Sequence, residues 1–292
     1  MPRLGRWQVS SRSTTEERTP ATDARGAALP WPRSILQRVA RTRLTGLLFV
    51  LIPIFLVWEL IAIRADLVVL PQPSAILTEW IGLVANGTIH QEVAPTLLRI
   101  AIGYTLALCI AIPLGVLMGS SKIFYNLFEP IVELLRPIPV SALVPLLLIL
   151  LGFGNEMILA LIAIASFFPI VINTYAGVSS VDPILLSTAR TLGLSPRLMV
   201  SRVRFRAALP QIFTGMRISL ASALILAVLA EMLVGENGIG YFTIQAQQAF
   251  RINSIYAGIL TMGLMGYTLN RLFLMFEGRV LGWHRGFLGT RA

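Results

Sequence analysis

"STARTLGLSPRLMVSRVRFRAALP", residues 187–210, holds five arginines, one glycine and two prolines between apolar runs that are long enough to cross a bilayer. Arginine at this density is costly in hydrocarbon, so the chain must leave the membrane here and then return to it. A globular reading of the flanking runs therefore gives way to a multi-pass one.

Working outward, 55% of the 292 residues are apolar and only 13% are charged. A soluble domain would carry about a quarter charged residues. A span needs roughly 20 apolar residues to cross about 30 Å of hydrocarbon. Six stretches meet that need: 44–63, 96–118, 126–151, 156–176, 213–235 and 255–276. The expected fold is an all-α membrane protein of about six transmembrane helices. The third stretch reads as one long helix kinked by Pro137 and Pro139, its first turns carrying Glu129, Glu133 and Arg136. The alternative is an interfacial helix followed by a shorter span.

Basic residues set the orientation. Residues 1–43 carry nine arginines, 119–125 hold Lys122, 187–217 hold six arginines, and the C-terminal end holds Arg279, Arg285 and Arg291. The intervening loops near 64–92, 152–156 and 236–254 are poor in basic residues. This alternation puts both termini and residues 187–210 in the cytoplasm. It also explains the net charge of +10 without nucleic acid, since the charge is spread over every cytoplasmic segment. Residues 1–40 are expected to be a disordered basic tail, 41–285 the membrane domain, and 286–292 a short tail. The run at 44–63 is too long and too late for a signal peptide. Residues 71–95 read as an external loop with an amphipathic helix.

Catalytic and metal chemistry find little support. Cys109 is the sole cysteine, and it lies inside a span. His90 and His284 fall on opposite expected sides of the membrane. Lys122 is the only lysine, and "MGSSK" is not the glycine-rich loop that would hold it against phosphates. No cofactor is called for, and the chain itself is not an ATPase.

Local signals organise the loop that begins near residue 182. Asp182-Pro183 is a helix start, with a carboxylate N-cap followed by proline at N1. Gly193 closes that helix, and Ser195-Pro196 opens a second short one through Leu198, Met199 and Val203. The result is a capped helix pair with an apolar face. Such a pair suits either a lipid surface or a groove on a soluble partner.

The same residues resemble the cytoplasmic EAA loop of type I ABC importer permeases, whose pattern is E-A-A, three residues, Gly, nine residues, I-x-L-P. Ser187, Thr188 and Ala189 fall on E-A-A, Gly193 on the glycine, Val203 on the isoleucine, and Phe205-Arg206 on L-P. Serine thus replaces the glutamate and Arg206 the proline. "RPIPVSALVPLLLILLGFG" (136–154), "FFPIVINTYAGVSSVDP" (167–183) and "GENGIGY" (235–241) resemble the subgroup importing nitrate, aliphatic sulfonates, taurine, bicarbonate and thiamine precursors. The likeness runs over roughly 44–283.

The resemblance implies a permease subunit in the bacterial cytoplasmic (inner) membrane, paired with a second copy. Two cytoplasmic ATPase subunits and an external substrate-binding protein would complete the assembly. Residues 182–210 would form the coupling loop, with Ser187, Thr188, Ala189, Arg190, Leu192, Gly193 and Leu194 at the ATPase. The glycine-rich turn, with Gly235, Gly238 and Gly240, is either an ordinary reversal or an outer gate. Glu231, inside the fifth span, belongs either to the translocation path or to a helix–helix contact. Glu59 and Arg99 read as structural residues near interfaces, and Asn173 and Asn270 as interhelical hydrogen-bond formers. Two rivals stay open: a secondary transporter with Glu231 as proton site, and a membrane anchor for a cytoplasmic enzyme.

Overall fold

A computed structural model describes residues 43–65 and 69–282. The expected tails at 1–40 and 286–292 lie outside the described residues. The chain divides into two units, Met1–Ile54 and Phe55–Ala292. Of the first, only residues 43–54 are described, as the opening half of helix α1 (Arg43–Ala65). Everything below concerns the second unit.

Its helices follow in order: α2 (Pro73–Ala85), α3 (Thr88–Ser120), α4 (Lys122–Leu135), α5 (Val144–Leu151), α6 (Asn155–Ser179), α7 (Pro183–Thr191), α8 (Pro196–Val234), α9 (Ile239–Gln248) and α10 (Ile252–Val280). No strand occurs among the described residues. Among the described residues four helices, α3, α6, α8 and α10, are long and apolar enough to cross a membrane. Helix α4 with the segment Val140–Leu151 is a sharply bent pair that counts as a fifth if the two form one span. The remaining expected span coincides with α1, a helix of 23 residues.

Helix α6 is the hub. Half of its most apolar window is buried (50%), against 11% for α10. Lipid tails are as apolar as leucine, so spans must associate through close packing of small residues. Helix α3 supplies Gly103, Ala107, Ala111, Gly115 and Gly119 at every fourth position, hence along one face. Helix α8 repeats the device with Gly215, Ser219, Ala223 and Ala227, all buried. Both stripes meet α6: a methyl group at Gly115 would lie 2.6 Å from Thr174 Cβ, and one at Gly215 2.6 Å from Asn173 Cβ. Backbones come together where a side chain would hold them apart.

The third expected span needs correction. It is not one kinked helix, because α4 and the segment Val140–Leu151 meet at 86°. Single prolines at 113, 169 and 210 leave their helices continuous. At 137 and 139 two prolines remove two nearby donors; Arg136 still holds helical geometry, but by Pro139 the backbone is extended (φ −60°, ψ 118°) and the helix has ended. The chain restarts only when the Ala142 N–H donates to the Pro139 carbonyl at 2.8 Å. Helix α3 also begins earlier than expected, at Thr88 instead of near 96.

Candidate functional site

Helix α8 has a candidate site at each end. At its start, α7 and the first turns of α8 form the expected hinged pair. The Asp182 carboxylate accepts from the Ile184 N–H at 2.7 Å, and the Ser195 hydroxyl accepts from the Leu198 N–H at 3.4 Å. Gly193 closes α7 with φ +74°, in the left-handed region. Its N–H donates to the Arg190 carbonyl (2.9 Å), and the Leu194 N–H donates to the Ala189 carbonyl (3.1 Å). That pairing satisfies two carbonyls which the helix end would otherwise leave free.

The second helix differs from expectation. It is not a separate short element but the first turns of the 39-residue α8. One widened turn at Met199–Arg204 absorbs the change. Within it, the Arg204 guanidinium donates to the Gly119 carbonyl at 2.8 Å, fastening the loop to the end of α3.

The seven expected coupling residues sit together. Ala189 is buried and anchors α7 inward, as Met199 does for α8. Ser187 and Thr188 are exposed, but their hydroxyls donate to the Pro183 and Ile184 carbonyls of their own helix, each at 2.9 Å. Arg190 is exposed. Ile184 (74%), Leu185, Leu192 (74%) and Leu198 present apolar surface with nothing over it.

At the other end of α8, Glu231 is fully buried and pairs with Arg99 of α3 at 2.7 Å. The Arg99 guanidinium also donates to the Asn155 side chain (2.7 Å), the Asn237 carbonyl (2.9 Å) and the Asn237 side chain (2.6 Å). One arginine thus joins α3, the start of α6, the end of α8 and the turn that follows.

That turn leads into α9, whose first N–H groups would be orphaned without partners. Side chains from other helices supply them. Glu92 accepts from the Gly238 N–H (2.7 Å), the Thr96 hydroxyl from the Ile239 N–H (3.0 Å), and Glu231 from the Gly240 N–H (3.1 Å). Thr96 also donates to Glu231 at 2.9 Å. The carboxylates and the positive end of α9 are mutually stabilising. The glycines follow from this packing. A side chain at Gly238 (φ +112°) would collide with the Glu231 carboxylate. One at Gly235 would strike the Glu231 backbone, and one at Gly240 the Val228 carbonyl. Glu231, Gly235, Gly238 and Gly240 are therefore one packing unit.

Glu92, Thr96, Asn155 and Asn237 were missed by the sequence reading, which gave Arg99 a structural role near an interface but named no partner for it. The available signal was a lone arginine in one apolar run and a lone glutamate in another, each needing a partner. Glu59 does take a structural place, accepting from the Ser74 N–H (3.1 Å) and hydroxyl (2.7 Å) at the start of α2. Asn173 accepts from Gln211 of α8 (2.9 Å), and Asn270 from Arg217 of α8 (3.3 Å), both across helices.

Comparison with known proteins places this geometry. Residues 111–282 match the model of the family described as binding-protein-dependent transport system inner membrane component. A probable ABC transporter permease of Brucella melitensis is 36% identical over 216 residues, covering 74% of this chain and 88% of its own length. A putative aliphatic sulfonates transport permease of Bacillus subtilis is 32% identical over 76% of this chain and 80% of its own. A nitrate import permease of Synechocystis is 34% identical over 73% and 80%. Among solved structures, a chain of the inward-facing MetNI methionine ABC transporter superposes with a TM-score of 0.56. That chain is 18% identical, and the match covers 65% of this chain and 93% of it. It shares the fold.

Proposed function

Because this chain belongs to the family of binding-protein-dependent transport system inner membrane components, and is a permease subunit distinct from the ATPase, we propose that it couples ATP hydrolysis to import of a small solute through the loop 182–210. The solute would be a small anion or sulfonate, by likeness to the nitrate and aliphatic sulfonate permeases. One observation carries the coupling role: Ile184, Leu185, Leu192 and Leu198 are exposed on a loop whose helix ends are capped at Asp182, Gly193 and Ser195. A rigid, preformed apolar surface fits a groove on a soluble partner, which we take to be the ATPase subunit. Ser187, Thr188, Ala189, Arg190, Leu192, Gly193 and Leu194 make up that contact in our reading. Two ATPase copies, a second permease copy and an external binding protein complete the transporter, in a bacterial cytoplasmic membrane.

The need for a second copy has a physical support. Helices α3, α6 and α8 touch through glycine and alanine stripes, too closely for a solute to pass among them. The path then runs along this bundle, between copies. The junction around Glu231, Gly235, Gly238 and Gly240 acts in our reading as an outer gate element, holding the turn after α8 against α3. A proton-coupled role for Glu231 fits poorly, because Arg99, Thr96 and the Gly240 N–H already occupy its oxygens.

The deciding experiment is uptake in cells whose ATPase subunit has lost its catalytic glutamate. Transport should stop; transport that persists would favour a secondary carrier. Orientation is tested with single cysteines in a Cys109→Ala background, since Cys109 is exposed. Ser195→Cys should be shielded from an impermeant thiol reagent in intact cells, and Glu236→Cys should be labelled. Labelling of position 195 from outside would reverse the topology and remove the coupling assignment.

A further inference from the structure

Helix α9 ends as α7 does, with one residue in the left-handed region. The Phe250 N–H donates to the Gln247 carbonyl (3.0 Å), and the Arg251 N–H donates to the Ala246 carbonyl (2.9 Å). At the matching position α7 has Gly193, whereas here the residue is phenylalanine with φ +54°. It is the one non-glycine with positive φ among the described residues. An L-residue pays a steric penalty in that conformation, and a bulky one is an outlier. The ring gains little in return from the described residues, since Phe250 is 85% exposed.

Strain at a solvent-facing aromatic indicates a role outside the fold. Phe250 borders an open groove of about 480 Å³ lined also by Glu79, Arg251, Asn253 and Ser254. Glu79 is engaged there, accepting from the Ser254 hydroxyl at 2.7 Å. Arg251 is exposed, and its side chain makes no ion pair with another described residue. Beside Phe250 and Ile252 the groove is lined by four polar or charged residues, unlike the apolar helix faces that meet lipid, so a bilayer is the poorer occupant. A fixed aromatic knob beside an exposed guanidinium suits a protein surface with an apolar socket and a nearby carboxylate.

We infer that Phe250, with Arg251 beside it, is a preset contact for the external substrate-binding protein. This rests on the importer reading above, which puts the turn between α9 and α10 on the outer face. The αL backbone would aim the ring at the partner before docking and so reduce the ordering cost of the contact.

The test uses the whole transporter, permease with its ATPase, in proteoliposomes. The readout is ATP hydrolysis against the concentration of the substrate-loaded binding protein that stimulates the wild type. For Phe250→Gly, which suits the same backbone, the half-saturating concentration should rise about tenfold with the maximal rate kept, the pattern of lost uniform binding. Phe250→Trp should restore most of it. Arg251→Ala should shift it less and flatten its dependence on salt. An unchanged half-saturating concentration in assembled Phe250→Gly transporter would overturn the inference. So would a loss of assembled transporter from the bilayer without that change, which would mark the ring as a lipid anchor. If no binding protein stimulates the wild type, the importer reading itself fails, and the inference with it.

Discussion

The two turns that bracket α8 both need a glycine with positive φ, but for different ends: Gly193 closes the helix before α8, and Gly238, with ψ 161°, leads into the helix after it. Around Gly193 there is empty space: a methyl group there would meet nothing within 4 Å. Around Gly238 there is none, because the Glu231 carboxylate fills it. The first turn is held by its own caps and leaves leucine and isoleucine uncovered. The second is held by side chains from other helices and sits on the buried Arg99–Glu231 pair. A joint meant to receive a partner must keep its surface free, whereas one that ties spans together must use up its polar groups.

The contrast breaks first at the paired end. Arg99→Leu strands Glu231 without its counter-charge and should cost about 3–5 kcal/mol, the scale for breaking a buried pair from one side. Arg99→Leu with Glu231→Leu should be less destabilised than Arg99→Leu alone. Thermal unfolding of the purified transporter reads both. A single variant as stable as the double would show that the pair holds nothing. Gly238→Ala should approach the single variant in severity, since it adds a clash to the backbone penalty.

At the open end, stability should change little and binding should change much. Leu192→Asp puts a charge on the most exposed part of the apolar surface and should weaken co-purification of the ATPase by tenfold or more, roughly the loss of a central contact. Arg190→Ala should mainly alter the salt dependence of that co-purification, because Arg190 lies at the rim and is exposed. Undiminished binding of Leu192→Asp would move the docking surface elsewhere.

What could be read in the sequence divides along the same line. Asp182-Pro183, Gly193 and Ser195-Pro196 were legible because caps act over a few residues, and the structure forms each as expected. The pairing of Arg99 with Glu231 bridges 132 positions, and only packing of α3 on α6 and α8 brings them together. The continuity of α8 was hidden by Pro210, which looks like a boundary. Pro210 is carried inside α8 without a break, whereas Pro137 and Pro139 together do break their span. Proline count and spacing, more than presence, set the outcome.

A smaller effect is expected for Gly193→Val. With no neighbour to strike, its cost is the backbone term alone, about 1–2 kcal/mol. Insertion should survive, while the tilt between α7 and α8 shifts, so ATP hydrolysis should lose its link to uptake. Normal substrate-stimulated hydrolysis with normal uptake in reconstituted Gly193→Val transporter would show that the hinge angle is not transmitted.

The smallest effect should come from Ser187→Ala. Where the EAA pattern that this loop resembles has a glutamate, a residue able to fix register by pairing with a partner's charge, this chain has a hydroxyl already donated to the Pro183 carbonyl at 2.9 Å. Its remaining acceptor capacity faces solvent, and α7 loses no cap when it is removed, since Asp182 supplies the N-cap. Alanine also favours a helix slightly over serine. Stability and ATPase co-purification should therefore stay within about 0.5 kcal/mol of the wild type, the usual range for a surface change. Co-purification across a salt series, beside Leu192→Asp, is the measurement. A Ser187→Ala loss matching that of Leu192→Asp would make the serine a central polar contact, and docking would then rest on a hydrogen bond at Ser187 instead of the uncovered leucines.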